Sequence, residues 1–178
     1  MASPSNGAEP LTIRGTLGVA SGSVFVRRVT RPAIWHDATR ASECLYEPDG
    51  RVSVWRVGND QDLRRVVIAI NESRESFRER IDFLPILPEE LAAASVVCIQ
   101  TRGETKCPAA AQLHYDAQIG DGNRKRLLET LLAARRQLGR CTSGQMGKAA
   151  EQSEQDGCFA VVENPVSCNC GETFEASC

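Results

Sequence analysis

Residues 112–138 read QLHYDAQIGDGNRKRLLETLLAARRQL, and this stretch decides the fold class. Leu113, Tyr115, Ala117 and Ile119 face one way and Gln112, His114, Asp116 and Gln118 the other, the period of two that marks a strand. From Asp121 the period becomes helical. Leu127, Leu131, Ala134 and Leu138 form an inner stripe, Leu128 and Leu132 widen it, and Gly139 offers a C-cap.

Similar signals lie upstream. Alternation over residues 11–19 and the apolar run of residues 23–29 predict two strands, with Gly22 at the turn. Pro32 opens a short helix bearing Ile34, Trp35, Ala38 and Ala41 along one face. Residues 45–57 read as a hairpin around Glu47-Pro48-Asp49-Gly50. Asn59 and Asp60 start a helix whose core face is Leu63, Val66, Val67 and Ile70. Residues 71–80 are highly charged, a helix end or solvated loop. Ile81 and Phe83 make a short strand, Pro88 starts a helix, and residues 96–101 return to strand character.

The expected fold is α+β: a mixed or mainly antiparallel sheet with helices packed on one face, plus a cysteine-rich C-terminal extension. Residues 1–10 read as a disordered lead, 11–139 as the α+β domain and 140–178 as an acidic cysteine-rich tail, with 142–157 a polar linker. Trp35, Trp55, Leu63, Val67, Phe83, Leu113, Tyr115, Leu127 and Leu131 are the expected core.

At 178 residues and 42% hydrophobic, the chain can bury a real core without disulfides. No apolar run is long enough to cross a bilayer, so no membrane partner is expected. The N-terminus lacks a basic and an apolar signal region, which predicts a cytoplasmic protein in a reducing compartment. Residues 1–140 balance at +3 and residues 141–178 at −5. Lys125 and Arg136 share a helical face but Arg126 lies apart, and aromatics are 5%. Neither a cationic face nor a stacking platform results, so no nucleic-acid partner is expected. Phosphate-loop, dinucleotide, HExxH, EF-hand and GxSxG patterns are absent from the sequence.

Five of the eight cysteines, Cys141, Cys158, Cys168, Cys170 and Cys178, fall in the last 38 residues. Cys158, Cys168, Cys170 and Cys178 can supply four thiolates to one tetrahedral zinc ion, with Cys141 or His114 as a substitute ligand. Zinc is the one cofactor expected. The spacing departs from the usual Cys-x2-Cys turns, since the close pair is Cys168-Asn169-Cys170. Alternative states are solvent-exposed reduced thiols, disulfides, and a redox pair of Cys168 and Cys170 or a Cys170 nucleophile.

The layout of the chain, a folded domain followed by a linker and a terminal segment rich in Cys, Ser and Thr, is similar to that of modified-peptide precursors. That similarity implies modification of the tail, whose hydroxyls are Thr142, Ser143, Ser153, Ser167, Thr173 and Ser177.

Elsewhere, Cys98 and Cys107 fall opposite each other if residues 97–106 form a hairpin, although Cys98 also reads as a small core hydrophobe. His114 and Asp116 share a strand face, as a base and its orienting carboxylate would, while His36 reads as surface. Taken together, these features predict a non-enzymatic protein-interaction module with another protein as partner. The alternatives are a thiol-dependent redox protein or a precursor with a modified tail.

Overall fold

The computed structural model describes residues 23–71, 80–141 and 143–155. The predicted lead and the strand over residues 11–19 lie outside them, as do Cys158, Cys168, Cys170 and Cys178. The described chain forms strands β1 (Val24–Val29), β2 (Arg51–Val57), β3 (Ile81–Ile86), β4 (Val97–Gln100), β5 (His114–Gln118) and β6 (Gly139–Cys141). Helices are α1 (Pro32–His36), α2 (Asp60–Asn71), α3 (Pro88–Ala93), α4 (Pro108–Ala111), α5 (Asp121–Ala133) and α6 (Ser143–Gln155), with a 3-10 turn over Ala41–Leu45.

The six strands make one sheet in the order β4-β5-β2-β1-β3-β6, antiparallel at every junction. This is an α+β architecture. The expected hairpin over residues 45–57 does not form, because Leu45 ends the 3-10 turn and β2 pairs with β1 and β5 instead. The turn itself behaves as its residues require, with Gly50 at φ +70°.

Helices cover both faces, not one. On the first face, Phe25, Val52, Val54, Leu84, Ile86 and Ala117 meet Trp35, Leu45, Leu91, Leu127 and Leu131. On the second, Val24, Val26, Trp55, Val57, Ile81 and Phe83 meet Leu63, Val66 and Val67 of α2 and Met146 and Ala149 of α6. The physical sign is β3, buried at all six positions, since only a strand sandwiched between two layers has no polar side. Pro85 is tolerated there because β6 pairs only with Ile81–Phe83 and has ended before it.

The end of α5 also differs from expectation. α5 stops at Ala133, where Arg135 turns the chain at φ +50°, so Gly139 opens β6 and caps nothing. The segment read as a linker contains α6, whose Met146 and Ala149 are buried against the second face. Its small and glutamine-rich composition hid a narrow apolar stripe. Of the expected core, Trp35, Trp55, Leu63, Val67, Phe83, Leu127 and Leu131 are buried. Leu113 and Tyr115 are half-buried, and on different faces, because β5 begins only at His114.

Candidate functional site

Among the described residues, the helices of the second face cover only part of it. Beyond the C-terminal end of α2, the sheet carries polar side chains and opens into a cleft of about 610 Å³. Arg28, Ser53 and Trp55 of β1 and β2 line one part, His114 and Asp116 of β5 another, and the loop through Gly103, Glu104 and Thr105 its rim.

His114 is the pivot. It is 4% exposed, and its ring meets Trp55 edge-on at 4.6 Å between centroids. Ser53 Oγ lies 2.6 Å from Nε2 and Thr101 Oγ1 2.7 Å from Nδ1, so both ring nitrogens are satisfied. The loop can close over the ring only because residue 103 is glycine. Its φ is +63°, and a Cβ there would sit 2.9 Å from imidazole carbons. Burial pushes the His114 pKa below its ordinary value, against the opposing pull of Asp116, the Thr101 backbone and Glu104. The imidazole is therefore neutral at pH 7.

The pairing of His114 with Asp116 expected from sequence is thus not the hydrogen-bonded arrangement. Asp116 lines the same cleft, but the two groups bonded to the imidazole are the hydroxyls of Ser53 and Thr101. Neither residue was singled out by sequence. A serine in the run Arg51–Val57 looks like any strand hydroxyl, and only the register Trp55↔His114 with Ser53↔Asp116 brings it beneath the ring. His36 is exposed at the end of α1, as its position implied.

A second feature adjoins the cleft. β4 is an edge strand that pairs with β5 and with no other described strand. Val97 is 61% and Ile99 51% exposed, among the few exposed large apolar side chains. Their register partners are Gln118 and Asp116, which puts them on the cleft side of the sheet, while Cys98 packs into the first-face core. The Thr101 N–H bonds the His114 carbonyl at 3.1 Å. By the alternation of an antiparallel ladder, the backbone groups of Cys98 and Gln100 then point away from β5.

Cys44, Cys98 and Cys141 are free thiols. Cys107 immediately precedes α4 and is buried with Ile68 and Ala110, whereas Cys98 belongs to the opposite core. A hairpin that would set them face to face is absent, because residues 101–107 form the loop over His114. Cys44 and Cys98 are half-buried, which raises their pKa values. Burial, assisted by Asp60 and Asp82, pushes Cys141 up to about 12. Cys141 packs in the second-face core, and both ring nitrogens of His114 have hydroxyl partners. Among the described residues, no group of three or more His, Cys, Asp or Glu could hold a metal ion.

Arginines of α5 and of the turn after it are engaged. Arg124 pairs with Asp121 and lies 5.0 Å over the Tyr46 ring, and Arg126 donates to the Ala94 carbonyl. Arg136 forms a buried ion pair with Glu90 while its own carbonyl accepts from Trp35 Nε1 at 2.9 Å. No described helix is long and apolar enough to cross a membrane. No protein-family model, curated protein or solved structure matches the chain.

Proposed function

We propose that the protein is an interaction module that receives an extended segment of another protein along β4. The observation that carries this reading is the outer edge of β4, with which no other described strand pairs. Val97–Gln100 contains no charge and no proline, the devices by which soluble proteins usually guard an edge, and it exposes two large apolar side chains. Its shortness is its main protection. A partner strand would take the outward backbone groups of Cys98 and Gln100 and place apolar side chains beside Val97 and Ile99.

The cysteine-rich tail, with Cys158, Cys168, Cys170 and Cys178 as thiolate ligands of a zinc ion, remains part of this reading on sequence grounds. So does residence in a reducing cytoplasm.

The test separates backbone from side-chain recognition. A photo-crosslinking residue at Ile99 in the native host identifies the partner, and binding to the purified partner is then measured by calorimetry. Gln100→Pro removes an outward N–H while sparing the ladder to β5, and should weaken binding at least about tenfold. Ile99→Lys should do the same through the side chain. Binding unchanged in both variants would sink the β4 reading.

A further inference from the structure

Ser53, His114 and Thr101 form a hydroxyl–imidazole–hydroxyl chain in the cleft, and strand addition at β4 makes no use of it. A neutral imidazole offers one N–H and one bare nitrogen. Thr101 occupies the Nδ1 side through its hydroxyl at 2.7 Å. In the tautomer that carries its proton on Nδ1, the ring donates to the Thr101 hydroxyl. Nε2 is then the bare nitrogen, and Ser53 Oγ lies 2.6 Å from it. A hydroxyl, a base within hydrogen-bond reach and a third group holding that base are the parts a nucleophilic serine needs.

Packing holds the base still. Trp55 meets the ring edge-on, and the Gly103 backbone closes over it so tightly that a Cβ would not fit. Ser53, by contrast, is only half-buried and lines the open cleft. The cleft walls are dipolar. Arg28 and Arg51 stand on β1 and β2, and Asp116 and Glu104 on β5 and the loop. A space of about 610 Å³ with such walls suits a small polar acyl group, not an alkyl chain.

We propose that Ser53 is a nucleophile for acyl transfer from small polar carboxylic esters, with His114 as its general base and Thr101 positioning the imidazole. In the first step Ser53 Oγ bonds to the ester carbonyl carbon while its proton passes to His114 Nε2. The carbonyl–alkoxy bond then breaks, and that proton leaves with the alcohol. In the second step Nε2 takes a proton from water, the resulting hydroxide attacks the acyl-serine, and the carboxylic acid departs as Ser53 regains its proton. Nothing in this scheme depends on β4.

The experiment treats the full chain with 4-nitrophenyl acetate, follows nitrophenolate release, and locates the acetyl adduct by peptide mass mapping. The expected result is an adduct on Ser53. Ser53→Ala should lack it and release nitrophenolate at the background rate. The decanoate ester should react more slowly than the acetate. Thr101→Val should lower the rate about tenfold or more and alter its pH profile, since neither the tautomer nor the ring orientation is then held. A merely structural Thr101 would leave that profile unmoved. In the wild type the rate should already be on its plateau at pH 7, because burial keeps His114 neutral despite Asp116 and Glu104 nearby, with Arg28 and Arg51 across the cleft. Absence of an acetyl adduct on Ser53 in the wild type overturns the proposal, whether or not the variants fold. An equal rate in folded Ser53→Ala does the same.

Discussion

The two faces of β2 differ more than any other pair of neighbouring surfaces in the molecule. Val52 and Val54 point into a dry core closed by α1, α3, α5 and the 3-10 turn. On the other face Trp55 and Val57 lie in the core beneath α2 and α6, while Ser53 opens into a polar cleft. Among the described residues, those of this one strand thus meet either close helical cover or an open cleft. Where the helix layer stops, cross-strand hydrogen bonds replace apolar contact, because a buried imidazole must find partners for both nitrogens. The candidate chemistry sits at that boundary.

The comparison breaks most completely if the helical cover of the second face is removed. Deleting residues 140–178 strips Cys141, Met146 and Ala149 from the core around Leu63, Val67 and Phe83. It should abolish cooperative thermal unfolding. Deleting only residues 156–178 retains every contact made among the described residues and should leave a single cooperative transition. If both truncations unfold alike, the helical cover over this face contributes little.

Single substitutions sharpen the same point. Phe83→Ala on the second face and Leu131→Ala on the first each remove a fully buried side chain. Each should cost about 3–5 kcal/mol in denaturant titrations. A markedly smaller loss at Phe83 would mean that the second face is the softer core. Gly103→Ala should cost about 1–3 kcal/mol, combining a left-handed φ with a Cβ forced against His114. Gly50→Ala shares the positive φ but has 3.6 Å of room, and should cost less in the same titration.

The smallest effect is the pH dependence contributed by His114. Its folded pKa lies below the ordinary value of 6.5, so below that pH the unfolded chain binds the proton more readily. This contribution to stability is fully present above pH 6.5 and is lost as pH falls from there through the lowered folded pKa. His114→Gln should flatten stability across that window, measured as denaturation midpoint against pH. An unchanged slope would show that the ring is not the group responsible.

Several elements were legible in the sequence because their signals are local. Asn59 caps α2 as its position implied, its side chain accepting the Asp62 N–H at 2.9 Å. Pro32 and Pro88 each open a helix, and the alternation of residues 115–119 places Tyr115, Ala117 and Ile119 on the first-face core. β6 was not legible, since three residues beginning with Gly139 carry no period. Nor was α6, whose apolar contacts reduce to Met146 and Ala149 among residues that otherwise resemble a linker. The face of β5 read as polar was misjudged for the same reason: His114 is buried only because Trp55, Ser53 and a glycine loop converge on it.

By itself, then, the sequence determined the α+β class, most element starts and most of the apolar core, because turn dihedrals, caps and side-chain period act over a few residues. Only the tertiary structure decided that helices lie on both faces, that β4 stands at an edge, and that Ser53 and Thr101 meet at one imidazole. Those pairs are separated by 61 and 13 residues. Their meeting depends on strand order and register, which arise when the whole sheet and both its layers find their lowest free energy together.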